Sequence, residues 1–480
     1  MSRLSYRFGP LERRGILGPV RGGQAAILGV GALLAILVLD RAPSAAGVIV
    51  ATVLFSIAVV GAVAPVGRRT LEEWVPVVTA FSLRRVTGRA RFRSWVPRHG
   101  FGTRRPPALA TPPALRGVGI REVAYRDRTV GVLSDRGGKW LTAVLACRVV
   151  AFSLLDAEAQ ERRLARWGVV LSSAAGTAVR RIQWIERTAP AQGDELARWL
   201  HAERDPAVPL RGTPMIESYL ELIGSTARVT QEHEILVALQ VDARRAGDQA
   251  LLEETERIAQ GLEAAEVKVL GALSAGQLSR ALRTAFDPYA RAELAALETA
   301  DPKRDGLSED NAWPLGARET WDHYQSDGAV HATYWIGAWP RIDVSPMFMD
   351  ALLGRSSSVR TVSVCFEPIP PARSTREVES AVTRDRADRD LRRRFGQTDT
   401  ARQRQAEEAT MRRESELAAG HGEVRLAGFV TVSGRDPDDL RRSCAEVLEH
   451  AARARLELHR LYGQQADAFT FTLPLCRGLK

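Results

Sequence analysis

The chain has 480 residues, 45% hydrophobic and 26% charged; this composition excludes disordered and low-complexity classes, and the length exceeds what one hydrophobic core fills. Its formal charge is +10, and only Lys139, Lys268, Lys303 and Lys480 of the 67 basic residues are lysines, a bias that reads as high-GC coding rather than phosphate recognition. Seventeen arginines against Glu12, Asp40, Glu72 and Glu73 place the positive excess before Gly117, beside apolar stretches, which points to anionic lipid and away from direct nucleic-acid binding.

Residues 1–23 read as a cytoplasmic tail. Two uncharged stretches follow, Gln24 to Leu39 and Ala45 to Val66, which predict a transmembrane hairpin over 24–66 closed by the turn DRAPS. At 1.5 Å per residue they reach about 24 and 33 Å against a hydrocarbon core of about 30 Å, so the first is short and relies on Arg21 to snorkel. Arg13, Arg14 and Arg21 precede the pair, and Arg68, Arg69, Arg84, Arg85, Arg89, Arg91 and Arg93 follow it. By the positive-inside rule this basic collar puts both termini in the cytoplasm and faces lipid at the inner membrane. The competing reading, a signal peptide cleaved near APSAA, is disfavoured by the second apolar span. Small residues at four-residue spacing, Ala25 with Gly29, Gly47 with Ala51 and Ala58 with Ala62, suit close helix packing.

Residues 67–118 form a basic juxtamembrane segment and linker. Trp74, Val77, Val78, Phe81 and Leu83 suggest a segment at the interface, with Pro76 interrupting any simple helix, and RRPPALATPPALRG reads as an extended boundary.

From residue 119 to 480 the pattern is α+β. A meander with turns near Arg126 and at DRGG opens it, then a helix capped by Asp156, a strand, and further helices across Asp194 to Ala227. Two strand-helix-strand-helix runs begin at QEHEILVALQVDA and EVRLAGFVTVSG, with a looser third copy at AVHATYWIGAWPR, so ferredoxin-like βαβ modules with internal duplication are predicted. Between them residues 371–420 hold 12 arginines and ten acids and read as a solvated helical hairpin insertion laced by ion pairs.

Motifs for chemistry are missing from the sequence. The lone Gly138-Lys139 pair has Trp140 where a phosphate loop needs Ser or Thr, no histidine pair has zinc spacing, and no G-x-S-x-G occurs. Cys147, Cys365, Cys444 and Cys476 contain no C-x-x-C, and Cys365 in TVSVCFEPI reads as a buried small hydrophobe. Asp322, His323 and Asp327 read as loop caps rather than acid–base groups. The densest aromatic group is Trp313, Trp321, Tyr324, Tyr334, Trp335 and Trp339; core filling is its first reading, and partner docking through Trp321, Tyr334, Trp335 and Trp339 the second.

Gly422 to Leu479, with YGQQ and LPL near its end, resembles the close of the N-terminal, non-motor domain of conjugative and type IV secretion ATPases, as do HEILVALQVDARRA and HATYWIGAWPR. In that resemblance a motor would follow the point where this sequence stops. The hairpin resembles the small two-span inner-membrane subunit that partners such ATPases, and the whole is similar to an actinobacterial membrane family that fuses the two. The resemblance implies a non-catalytic inner-membrane scaffold without cofactor or metal. Its implied partners are anionic lipid, a separate secretion or conjugation ATPase, other inner-membrane secretion subunits and further copies of itself. The alternatives are the E component of a type VII (ESX) secretion membrane complex, which also has two spans before a cytoplasmic domain, and a membrane-tethered enzyme with an unrecognised site.

Overall fold

A computed structural model describes residues 22–94 except 64, 67 and 68; 111–190 except 149–151; 231–291; 306–394 except 341 and 355; 401–479; and positions 214, 215, 218 and 294. The N-terminal tail, the first half of the Pro-rich linker and nearly all of the helices predicted across Asp194 to Ala227 lie outside these residues. Residues 22–90 form one compact unit and residues 91–479 another.

The first unit begins with α1 (Gly22–Arg41) and α2 (Ala45–Val63), an antiparallel hairpin. Both are long and apolar enough to cross a membrane. A core helix of a soluble protein would be covered by its neighbours, whereas Leu33, Ile36, Ile49 and Ile57 are more than 60% exposed. At 20 residues α1 spans about 30 Å, so it is longer than its predicted stretch and needs no thinning of the bilayer. The second helix is shorter than predicted because Pro65 follows it, and the residue before a proline is driven out of the α region. The Gln24 amide donates to the Ala62 carbonyl at 2.9 Å and closes the open end of the hairpin. A two-residue bridge, β1 (Pro65–Val66) with β2 (Arg69–Thr70), leads into α3 (Leu71–Val86). Contrary to expectation α3 runs through Pro76 and forgoes only the bond that proline cannot donate.

The second unit is built on a thirteen-stranded antiparallel sheet. It opens with β3 (Arg91–Arg93) and then presents the same order of elements twice. The first pass comprises β4 (Gly119–Tyr125), β5 (Arg128–Asp135), β6 (Trp140–Arg148), α4 (Ala157–Ser173), β7 (Val179–Pro190), β8 (Gln231–Asp242), α5 (Asp248–Ala264), β9 (Lys268–Ala272) and α6 (Ala275–Phe286). The second comprises β10 (Gly316–Glu319), β11 (Tyr324–Ser326), β12 (Ala329–Ala338), α7 (Asp350–Leu353) and β13 (Val359–Ile369). After the helical insertion α8 (Pro371–Arg394) and α9 (Ala401–Ala418) it continues with β14 (Glu423–Gly434), α10 (Pro437–Arg453), β15 (Glu457–Arg460) and α11 (Gln465–Phe469).

Strand order is β3-β10-β11-β12-β14-β13-β7-β8-β6-β5-β4, with β15 added to β12 and β9 to β6. Outside β3 this order is a palindrome: β10-β11-β12-β14-β13 mirrors β4-β5-β6-β8-β7, and the two passes meet where β13 pairs with β7. Even an irregularity repeats, since β9 shifts register on β6 between Ala146 and Cys147 and β15 shifts on β12 between Ile336 and Ala338. The run starting at AVHATYWIGAWPR is therefore no third copy. It is β12-α7-β13, the opening half of the second pass, and its counterpart is β6-α4-β7.

Local chemistry fixes the element ends. Asp156 accepts from the Ala159 amide and caps α4, Ser274 and Gln277 form a capping box on α6, and Asp436 caps α10. Gly137 and Gly138 at φ 67° and 84° supply the left-handed turn between β5 and β6. Side chains alternate across the sheet, so α4, α5, α7 and α10 cover one face through Leu239, Ile258, Val430 and Val447. The other face is covered by α6, α11 and the last residues of the chain, through Leu282, Phe286, Phe469, Leu473 and Leu475.

Candidate functional site

Of the predicted collar, Arg13, Arg14, Arg21 and Arg68 lie outside the described residues. Arg69 is placed in β2, while Arg84 and Arg85 close the last turn of α3, where positive charge meets the helix carbonyls. Arg89 follows, exposed, and Arg91 and Arg93 are exposed on β3 of the second unit. The collar is therefore shared between the two compact units. The helix that carries its centre has two apolar faces: Trp74, Val77 and Phe81 are partly or fully buried, while Val75, Val78, Leu83 and Val86 are 50%, 44%, 63% and 86% exposed. An apolar face flanked by arginine suits the boundary between acyl chains and headgroups.

The aromatic group divides by burial. Trp313 and Tyr324 belong to the core beneath α6, with the Tyr324 ring 5.2 Å from that of Phe469. Tyr334 is 3% exposed and packs with Cys444 of α10, so its ring is not available to a partner. Trp335 meets His459 edge-on at 5.8 Å on one face of the sheet, whereas Trp339 packs in the cluster on the other. These four residues do not form one docking surface: Tyr334 fills the core, Trp335 and Trp339 are half-buried on opposite faces, and only Trp321, at 36%, counts as exposed. The alternation of Tyr334 and Ile336 on one strand face is what carried the core reading.

The polar loop residues act as caps. Asp327 accepts from the Leu315 and Gly316 amides at 3.2 and 2.9 Å and pairs with Arg283, and Asp322 accepts from the Thr320 hydroxyl at 3.0 Å. No group of three or more His, Cys, Asp or Glu side chains among the described residues could hold a metal ion. All four cysteines are buried, and burial pushes the Cys147 and Cys365 thiols up to about 12, so they remain protonated at neutral pH.

The sequence reading passed over a buried polar seam that crosses the junction of the two passes. The Gln183 amide donates to the Phe471 carbonyl at 2.9 Å and accepts from the Cys476 amide at 2.7 Å; Gln240 donates to the Leu475 carbonyl at 2.9 Å. Arg181 pairs with Glu367 and donates to the carbonyls of Cys476 and Leu479. Arg477 reaches back to pair with Asp135, which is 1% exposed. Side chains of the first pass thus hold the backbone that ends the second. The signal in the sequence was Arg181 and Gln183, two polar residues at inward positions of the strand VRRIQWIERT.

A protein-family model described as "Putative type VII ESX secretion system translocon, EccE" matches residues 237–336. The match runs from β8 through β12, across the boundary between the two passes. No curated protein matches the chain. With the two membrane-length helices, the match supports a membrane component of a secretion system, and it favours the type VII alternative over the type IV and conjugative reading.

Proposed function

We propose that this chain is a non-catalytic inner-membrane subunit of a type VII (ESX) secretion complex. One observation carries the reading: a body matched over β8–β12 by the ESX translocon family occurs in the same chain as two membrane-length helices. In this reading α1 and α2 fix the protein in the bilayer, the outward apolar face of α3 and the arginines at its end rest on anionic lipid, and both termini stay in the cytoplasm. The body presents surfaces to other membrane subunits of the complex, to a separate ATPase and to further copies of the chain.

The body itself we read as two ferredoxin-like modules joined edge to edge. In each pass the strand-helix-strand-strand-helix-strand run lies in the order fourth-first-third-second, as β9-β6-β8-β7 and β15-β12-β14-β13. Such modules are packing platforms, which agrees with a seam made of structural hydrogen bonds rather than convergent reactive groups.

Affinity purification of the detergent-extracted chain from its native membrane tests the assignment. Type VII membrane subunits should co-purify in fixed ratio. Recovery of a conjugation-type ATPase instead would replace this reading with the type IV one, and turnover by the isolated chain would remove the non-catalytic role.

A further inference from the structure

The palindromic strand order ends differently at its two edges. At one, β3 lies antiparallel along the outer side of β10, with Arg91, Phe92 and Arg93 opposite Arg318, Ala317 and Gly316. At the other stands β4, the counterpart of β10, and among the described residues no strand pairs with its outer side. It is the longer of the two, seven residues against four, and it pairs with β5 at every position without a register shift. Proline, bulge and lysine, which commonly close a sheet edge, are all missing from it.

Two contacts show which main-chain groups this edge offers. The Ile120 amide points outward, because it donates to the Glu309 carboxylate at 2.7 Å. Gly131, opposite Glu122, gives its amide to the Leu273 carbonyl at 2.8 Å and not to β4. Alternation along the strand then turns the N–H and C=O groups of Glu122 and Ala124 outward as well, and both residues are exposed.

Charge decides what can lie along them. Arg121 is taken by Asp248, and Arg126 by Glu256. Glu122 and Asp127 of the hairpin, Glu253, whose charge reaches Tyr125, and Asp310 next to Glu309 have no ion-pair partner among the described residues. The same edge of a second copy would set these carboxylates against their own like, which disfavours self-pairing. We propose that the outer edge of β4 takes up an extended basic strand of a partner protein, hydrogen-bonded to the main chain of Glu122 and Ala124 with its cations against the acidic rim. The partner then does for β4 what the Arg-Phe-Arg strand β3 does for β10. This inference rests on the fold and not on the secretion reading.

The test uses the full chain in neutral phosphatidylcholine nanodiscs and two fluorescent heptapeptides of alternating arginine and valine, one ordinary and one methylated at every backbone amide. The two carry equal charge, but the second has no amide to donate to a ladder. The wild type should bind the ordinary peptide at least tenfold more tightly. Glu122→Pro and Ala124→Pro each remove one outward amide and spare the pairing with β5, so each should weaken that binding about tenfold and leave the methylated peptide unaffected. A thermal midpoint equal to wild type shows that the hairpin persists. Should either proline unfold it, Glu122→Lys probes the rim instead and should weaken binding about threefold at low salt and not at high salt. No binding by the wild type, equal binding of the two peptides, or unchanged affinity in the folded variants would each overturn the inference. So would self-association of the wild type that Glu122→Pro abolishes, since the edge would then belong to a second copy.

Discussion

The imidazole of His331 is fully buried, with Nδ1 2.8 Å from the Ser433 hydroxyl and Nε2 2.9 Å from that of Ser326 and 3.0 Å from the Phe286 carbonyl. Burial pulls its pKa from 6.5 down to about 4, because the charged ring would lose its hydration. The folded value lies below the unfolded one, so between them the unfolded chain binds the extra proton. The stabilisation is complete above about pH 6.5 and is lost as pH falls toward 4, amounting to about 3 kcal/mol. Thermal unfolding of the detergent-solubilised chain should show a midpoint that drops steeply across this window, and His331→Asn should flatten the drop. An unchanged slope in the variant would place the acid sensitivity elsewhere. Sequence could place His331 near the start of a strand. It could not show that the hydroxyl completing the site belongs to Ser433, 102 residues away. Alternation was sufficient for Tyr334 and Ile336, because a period of two reports which strand face is apolar.

At the scale of elements, the membrane hairpin was legible as two charge-free stretches, and so was its packing on the α2 side, where Gly47, Ala51 and Ala62 are buried and Ala58 meets α1; the α1 side was not. Spacing nominated Ala25 with Gly29, yet a side chain at Gly29 would meet nothing within 4 Å. The close approach is at Gly31, where a Cβ would overlap that of Ala58, while Ala51 and Ala62 are buried. Nearly every residue of α1 and α2 is apolar or small, so no hydrophobic face marks which side turns inward. Gly31→Leu should force the helices apart at a cost of about 1–3 kcal/mol, the range for overpacking. Gly29→Leu, its control two residues away, should leave the thermal midpoint in detergent unchanged. Equal effects from both would mean that leucine acts through the helix itself rather than through the contact.

For the whole molecule, the repeat was readable because each pass carries its own caps, strand alternation and amphipathic helices. Its boundary was misplaced because AVHATYWIGAWPR resembles any strand-helix-strand opening, and only pairing shows that β12 occupies the place of β6. The junction was hidden for a related reason: β7 and β13 are far apart in sequence, and the polar side chains beside them find partners in Ser363 and Glu367 of β13 and in the last residues of the chain. Seven register pairs join β7 to β13, and Leu473, Leu475 and Cys476 are buried against the first pass. Leaving Gln183, Gln240 and Arg181 without those partners would cost about 1–3 kcal/mol for each group. A protease site placed between residues 300 and 301 of the full chain puts these terms to work. After cleavage, the fragment carrying residues 301–480 should stay on the membrane fragment, because the ladder and the seam both survive the cut. The same cleaved chain lacking residues 473–480 should release it at a lower denaturant concentration. Gln240, the Gln183 side-chain carbonyl and part of the Arg181 guanidinium then lose buried partners, while the β7–β13 ladder, the β3–β10 pairing and the Arg283–Asp327 ion pair still join the fragments. Release at the same denaturant concentration with and without residues 473–480 would show that the seam contacts to the chain's last residues add nothing to the union of the two passes.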